Sequence, residues 1–166
     1  MTLLMTPIPL TKKDFAPYGD VLEIDGAEQF PINAGTTTRF HRLAEVTASP
    51  PNGRAILSIF RGTRRSFPVP ITMMERHPLG SQAFFPLSPS DWLVVVADDK
   101  DGTPDPASLR CFRASGIQGV QYAPDVWHHP LLILDPVQDF FIVDRHGDGN
   151  NLEEYEFGQA VAEIRI

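Results

Sequence analysis

Two short stretches of the sequence hold side chains that can transfer protons or bind a metal ion. Residues 75–82 read ERHPLGSQ, and residues 127–130 read WHHP. On a β-strand Glu75 and His77 point to one face, because side chains alternate with a period of two. A turn at the Pro-Leu-Gly that follows would then bring Gln82 back beside them.

The second stretch contains two adjacent histidines, which face opposite ways if the segment is a strand. We assign the inward position to His128 and a packing role to His129. A barrel that joins the two stretches would surround one cavity with a carboxylate, an amide and two imidazoles. Any one of these histidines alone is more often a packing residue than a catalyst, so the prediction depends on the stretches meeting. If they meet, the set suffices for proton transfer or for a weak metal site.

The elements that must position these side chains are predicted to be short strands. The chain holds 16 prolines in 166 residues, which disfavours long helices. Strand-like apolar stretches alternate with turn signals, and they include AILSIF (55–60), QAFFPL (82–87) and WLVVVA (92–97). Many short strands with turns between them favour an all-β sandwich or barrel. Thr11 with Asp14 predicts one short helix, and residues 153–164 are the other candidate helix.

Length and charge limit the class of protein. The 166 residues suit one domain, spanning 1–166, and the net charge of −7 makes nucleic acid a poor partner. The single cysteine, Cys111, cannot form an internal disulfide, and the longest apolar run, residues 92–97, is far short of the ~20 residues that cross a bilayer. The first ten residues do not read as a secretory signal. We therefore expect a cytoplasmic protein with no nucleic-acid or membrane partner.

At these stretches the chain resembles the ureidoglycolate lyase family. The resemblance covers residues 15–145, and its matching segments, in order, are INAG (32–35), RFH (39–41), ERHPLGSQAF (75–84), QGV (118–120), WHHPL (127–131) and the stretch from DF (139–140) through DR (144–145). The pair ERHPLGSQAF and WHHPL is specific. The resemblance implies a cupin-like β-barrel (double-stranded β-helix), a homodimer and a small-molecule substrate. The implied reaction is cleavage of (S)-ureidoglycolate to glyoxylate and urea in allantoin (purine) breakdown.

The resemblance also bears on a metal ion. A metal-binding cupin usually has His-x-His followed by Glu and a later histidine, where this sequence has Glu75, His77, Gln82 and His128. Such a set binds a divalent ion less tightly than three histidines would. Nickel is the ion that the lyase family implies, and we expect it to be weakly held or dispensable. Asp125 stands where cupins often have a glycine.

The chemistry of the implied substrate assigns roles to residues of both stretches. Ureidoglycolate is a carbinolamide, in which one carbon bears a hydroxyl, a carboxylate and a urea nitrogen. Its cleavage needs a base for the hydroxyl proton and an acid for the departing nitrogen, but no covalent nucleophile. We assign the proton transfers to His77 and His128, with Glu75 orienting or replacing one of them.

Substrate binding needs groups for the two ends of the molecule. Gln82 and Asn33 would hydrogen-bond the ureido end. An arginine suits the carboxylate, because its guanidinium fork pairs with two oxygens. Arg39 is the first candidate for this clamp, and Arg76 is the second because it alternates away from Glu75 on a regular strand.

Other function classes stay open on the sequence alone. A non-catalytic cupin module would bind a small hydroxy acid without turnover, and an isomerase or an oxygenase could use the same barrel. The oxygenase would need a firmer metal set than this one. A hydrolytic reaction would release ammonia and carbon dioxide in place of urea, so product analysis separates it from the lyase.

Overall fold

The computed structural model describes residues 2–166, and most of its regular structure is strand, which confirms the predicted all-β class. The strands are β1 (Leu3–Met5), β2 (Ile8–Pro9), β3 (Gly19–Leu22), β4 (Glu28–Ile32), β5 (Thr37–His41), β6 (Arg54–Thr63), β7 (Val69–Ile71), β8 (Met73–Arg76), β9 (Gln82–Pro86), β10 (Trp92–Ala97), β11 (Asp99–Lys100), β12 (Thr103–Pro104), β13 (Arg110–Ala114), β14 (Gly119–Tyr122), β15 (Trp127–His128), β16 (Leu132–Ile133), β17 (Val137–His146), β18 (Glu153–Glu156) and β19 (Ala162–Ile164). The helical segments are α1 (Lys12–Phe15) and two 3₁₀ turns, Asn33–Gly35 and Pro106–Ser108.

Two large sheets pack against each other. The first has the order β18-β8-β15-β10-β13-β2, with β16 also paired to β10, and the second has the order β3-β14-β9-β17-β6. Their facing sides share one apolar core, in which the rings of Trp92 and Phe140 lie with centroids 4.9 Å apart. Burial of this apolar surface stabilises the packing by about 25 cal/mol per Å². The arrangement is cupin-like, with the second sheet left open at β6.

The strand β10 shows why the run WLVVVA contains no polar residue. All six of its residues are buried. Trp92 and Val94 belong to the core between the two large sheets, whereas Leu93 and Val95 belong to a second core. That second core also holds Ile71 and other residues of the three-stranded sheet β1-β19-β7. A strand that is buried on both faces loses the alternation of apolar and polar side chains.

The two helix predictions have different outcomes. The first is confirmed, because Thr11 caps α1 by accepting a hydrogen bond from the backbone N–H of Asp14 at 3.1 Å. The second is wrong, because residues 153–164 contain β18 and β19 instead. β18 pairs along β8, and β19 lies between β1 and β7, so partners distant in sequence decide the conformation there. No helix within residues 2–166 is long and apolar enough to cross a bilayer.

Two parts of the molecule have few strand partners. The hairpin of β4 and β5, which we call the arm (residues 28–41), forms a two-stranded sheet of its own. The strand β6, which we call the open edge, ends the second sheet and pairs only with β17 among the described strands. Eight of its ten residues are exposed. Both parts therefore present surface that residues 2–166 of one copy do not cover.

Candidate active site

Three side chains from the two predicted stretches meet in the structure. β8 pairs with β15, and His128 lies directly opposite Glu75 in that pairing, which places the two side chains on one face. His77 follows β8 on the same side. The Nε2 atom of His128 is 3.6 Å from Glu75 Oε1, and the Nε2 atom of His77 is 4.0 Å from the same oxygen. One ligand-type atom from each of the three residues lies within 4.8 Å of the others, so the set could hold a metal ion. We call these three residues the cluster.

Backbone carbonyls hold both imidazoles of the cluster in one orientation. Nδ1 of His77 lies 2.8 Å from the carbonyl oxygen of Asn151, and Nδ1 of His128 lies 2.8 Å from that of Val126. A carbonyl oxygen can only accept, so each neutral ring carries its proton on Nδ1 and leaves Nε2 with a free electron pair. The ring of His128 also stacks on Tyr122, with centroids 4.1 Å apart. The orientation of the cluster is therefore set by the fold.

The cluster brings two imidazole nitrogens and a carboxylate together without a hydrogen bond between them. Neither Nε2 atom has a hydrogen-bond partner among the described residues, although both are buried. Burial and the neighbouring His128 lower the pKa of His77 more than Asn151 and Glu75 raise it. For Glu75, burial raises the pKa, but the combined influence of His128, His77 and His129 is larger and lowers it. Two bare nitrogens and a carboxylate around one point attract a cation, which is either a proton or a metal ion.

Gln82 lies beside the cluster, as the sequence predicts, and it brings a residue that the sequence analysis did not assign. Gln82 begins β9 opposite Tyr122, the residue that stacks on His128. Its Nε2 atom donates to Asp144 Oδ2 at 3.3 Å. The other polar atom of each side chain, Gln82 Oε1 and Asp144 Oδ1, is buried and has no partner among the described residues. The only signal for Asp144 in the sequence is its place in the DR segment at 144–145.

The two arginine candidates occupy very different places. Arg76 lies on the opposite face of β8 from Glu75, where its side chain is 16% exposed and its Cζ sits 4.4 Å from the ring centroid of Trp127. Three carboxylates surround its guanidinium group, and their closest nitrogen–oxygen distances are 2.6 Å for Glu153, 2.8 Å for Asp99 and 3.4 Å for Asp125. Arg76 is thus committed to a structural network that leaves it little freedom to bind a substrate.

Asp125, which replaces the usual cupin glycine, fits this network. Its backbone has a φ of 68°, in the left-handed region where aspartate is one of the more tolerated residues. The backbone N–H of Asp125 donates to the carbonyl of His77 at 3.0 Å, while its carboxylate faces Arg76. The turn at Asp125 therefore contacts His77 through its backbone and Arg76 through its side chain.

Arg39 and Asn33 lie on the arm. The guanidinium carbon of Arg39 is 5.9 Å from the ring centroid of Phe30, and the exposed side chain makes no ion pair among the described residues. Asn33 lies in the turn of the arm, where its Nδ2 atom donates to Thr37 Oγ1 at 3.3 Å. Neither residue forms a hydrogen bond or an ion pair with the cluster within residues 2–166.

Two further side chains are buried close to the site but serve the fold. His129 is 4% exposed and its Nδ1 lies 2.8 Å from the carbonyl of Pro130; burial lowers the pKa of His129 to about 4. Arg145 donates to the backbone carbonyls of three loop residues, Ser49, Pro51 and Asp148. Arg145 therefore ties loops together through its Nε and Nη2 atoms, while its buried Nη1 atom has no hydrogen-bond partner among the described residues.

Comparison with known proteins gives one consistent result. The family model described as ureidoglycolate lyase matches residues 2–164. A protein named ureidoglycolate lyase from Burkholderia mallei (strain NCTC 10229) is 52% identical, covering 92% of this chain and 89% of its own. Another of that name from Brucella anthropi is 54% identical, covering 94% and 91%. A solved dTDP sugar isomerase from Desulfovibrio desulfuricans G20 superposes with a TM-score of 0.47 at 14% identity, covering 82% of this chain and 83% of that one.

Proposed function

The chain belongs to the ureidoglycolate lyase family and is an enzyme, and from this premise we propose that it cleaves (S)-ureidoglycolate to glyoxylate and urea. The observation that supports this reaction best is the convergence of two bare Nε2 atoms on the carboxylate of Glu75. A carbinolamide needs a proton moved from its hydroxyl oxygen to its urea nitrogen. Two imidazoles fixed at one point are suited to that transfer.

The cleavage can be written with the residues of the cluster. The Nε2 atom of one histidine takes the hydroxyl proton, the oxygen electrons form the carbonyl of glyoxylate, and the carbon–nitrogen bond breaks. The urea nitrogen then receives a proton from an imidazole, so no net proton is gained or lost. The low pKa of His77 keeps its ring neutral and able to act as a base near pH 7. Glu75 stabilises the imidazolium that forms, because its Oε1 atom is within 4.0 Å of both rings.

Gln82 is placed to recognise the ureido group. Its Oε1 atom is free to accept an N–H hydrogen bond, and Asp144 fixes the other end of the amide. Asn33 remains our proposal for a second contact to the ureido end. For the substrate carboxylate we propose Arg39, because Arg76 already faces three carboxylates on the opposite side of β8.

A divalent metal ion would fit the same residues. Glu75, His77 and His128 would hold it, with the orphan Oε1 of Gln82 as a further ligand, and nickel is our candidate. When bound, such an ion would polarise an oxygen of the substrate as a Lewis acid. The donor set fits the ion because both Nε2 atoms are held in place by the Nδ1 contacts and have no hydrogen-bond partner among the described residues.

Product analysis of the purified protein tests the proposal. We expect (S)-ureidoglycolate to yield urea and glyoxylate in equal amounts, with Glu75→Gln reducing the rate by about tenfold or more because the imidazolium loses its counter-charge. Glu163→Gln, on β19 in the three-stranded sheet, is the matched control and should retain the parent rate. Ammonia in place of urea would indicate the hydrolytic reaction, and binding without turnover would indicate a non-catalytic module.

We also propose that the activity resides in one domain spanning 1–166 and works in the cytoplasm. The one cysteine, Cys111, is buried in the second core, and burial raises the pKa of its thiol to about 12. A thiol of that kind is unreactive, and the fold has no need of an oxidising compartment. Retention of full activity by the Cys111→Ala variant would agree with this assignment.

A further inference from the structure

The open edge exposes apolar side chains on both of its faces. Ile56 and Phe60 lie opposite Asp144 and Phe140, so they share the inner face of the sheet, yet they are 38% and 37% exposed. On the outer face, Leu57 is 68% exposed. Proteins normally blunt a long edge strand with charge, proline or a covering element, and large exposed apolar patches mark interaction surfaces. The open edge is therefore a surface that another element covers.

The arm, in contrast, is a hairpin that is not paired with any larger sheet of the described residues. Its strands pair only with each other among the described residues, and a lone two-stranded hairpin is marginally stable in water. It carries three half-buried apolar side chains, which are Phe30, Ile32 and Phe40. An apolar hairpin and an apolar open edge on the same chain are complementary halves of one contact between two copies.

The proposed reaction needs a cation that can hold both oxygens of the substrate carboxylate. The substrate carries a carboxylate, while the cluster and its neighbour contribute the carboxylates of Glu75 and Asp144. Arg76 is engaged by three carboxylates, and Arg145 donates from Nε and Nη2 to three backbone carbonyls, which leaves only its buried Nη1 without a partner. A single Nη1 cannot make the two-pronged contact of a guanidinium fork, whereas the exposed guanidinium of Arg39 makes no ion pair among residues 2–166 and has both prongs available.

The site borders the open edge. Asp144, which accepts from Gln82, is the direct cross-strand partner of Ile56 on β6. Directly paired residues point to the same face, so the inner face of the open edge continues into the site. An element seated on that inner face would end beside the carboxylates of the site, and a basic side chain there has the complementary charge.

We propose that a second copy of this chain lays its arm along the open edge and delivers its Arg39 to the site, so that each active site of a dimer is completed in trans. The inference rests on the proposed function, because the role given to Arg39 is to hold the carboxylate of ureidoglycolate. A two-fold axis makes the contact reciprocal, with both arms and both edges used once.

Mixed dimers of two defective chains test the proposal. Arg39→Ala should lower kcat/KM about 10- to 100-fold, as loss of a charge-assisted hydrogen bond does, and His128→Ala should lower it further. If Arg39 acts in trans, a dimer of one chain of each kind keeps one complete site. Coexpression of the two variants in equal amounts should then restore about a quarter of the parent activity, given random pairing into two-site dimers. Assaying the parent protein first separates this test from the proposed function.

Absence of recovery in mixed dimers, shown to form by mass spectrometry, would overturn the proposal, as would full activity in Arg39→Ala. If Arg39→Ala does not fold, Arg39→Gln takes its place.

The contact is tested separately with Leu57→Asp on the open edge, which should give folded monomers that have lost activity to the same extent as Arg39→Ala. Ile117→Asp, at an exposed turn before β14, is the control that should stay dimeric. A Leu57→Asp monomer with parent activity would also overturn the proposal.

Discussion

The two faces of the strand pair β8–β15 both carry charged or titratable side chains, but these side chains have different roles. On one face the two histidines of the cluster meet Glu75 with Nε2 atoms that have no hydrogen-bond partner among the described residues. On the other face Arg76 is saturated by three carboxylates and packed on Trp127. On this strand pair, therefore, the proposed catalytic side chains are those whose polar atoms are fixed but unpartnered, whereas the saturated guanidinium of Arg76 stabilises the fold.

The first prediction, with the largest expected effect, compares the turnover rates of variants at two neighbouring histidines, His128 and His129. His128→Ala should lower the turnover rate by about 10²–10⁴, because it removes one of the two proton-transfer groups. His129→Asn keeps a donor for the carbonyl of Pro130 and should leave the rate within a few-fold of the parent. Steady-state kinetics on variants with matching circular dichroism spectra measure both. Equal losses in the two variants would mean that the assignment of faces is wrong.

A second prediction concerns stability on the saturated face. Arg76→Leu should lower the free energy of unfolding by about 2 kcal/mol, since it leaves three acidic groups close together, although their partial exposure limits the cost. Its kcat should change little if Arg39 is the carboxylate clamp. Arg113→Leu removes an arginine that is 51% exposed and pairs with Asp91 alone, so it should cost less. Urea denaturation measures the free energy of unfolding, and steady-state kinetics on the same samples measures kcat. A large kcat loss with unchanged stability would reverse the roles of the two faces.

The sequence was sufficient for part of this picture. Alternation along residues 75–77 correctly separated Glu75 and His77 from Arg76, because the period of a strand is a local property. The pairing that sets His128 opposite Glu75 joins residues about 50 positions apart, so the meeting of the two stretches could be stated from the sequence only as a condition. The acidic partners of Arg76 come from three distant segments, so no local pattern could have predicted them.

The errors and gaps have the same origin. Residues 153–164 form strands because β8, β1 and β7 supply their ladder partners, and such partners are not visible in a local pattern. The place of Arg39 in a hairpin that pairs only with itself was likewise not predictable from its residue type. The RFH segment matched the family, but the match does not say where in space its arginine lies.

A third prediction uses the pH dependence of stability. Burial lowers the pKa of His129 to about 4, while a histidine in the unfolded chain titrates near 6.5. Below pH 6.5 the unfolded chain therefore binds the proton more readily than the folded protein does. The contribution of His129 to stability is complete above pH 6.5 and declines as the pH falls toward 4, by roughly 3 kcal/mol in total. His129→Asn should flatten the stability curve between these pH values, as thermal unfolding would show. An unchanged slope would mean that another group controls the acid sensitivity.

The smallest effect is expected from removal of a metal ion. The cluster supplies two imidazoles and one carboxylate where a metal-binding cupin has three imidazoles, so its affinity for a divalent ion should be modest. Both histidines can transfer protons without an ion, so exhaustive chelation should change the turnover rate by less than about tenfold. Binding is better seen in stability: saturating Ni²⁺ should raise the melting temperature of the parent, because a ligand that binds only the folded state stabilises it by mass action. His77→Asn should lose that increase, whereas His146→Asn, at an exposed histidine, should keep it. If chelation removed all activity and one equivalent of nickel restored it, the ion would be essential, and the bare Nε2 atoms would then serve as its ligands.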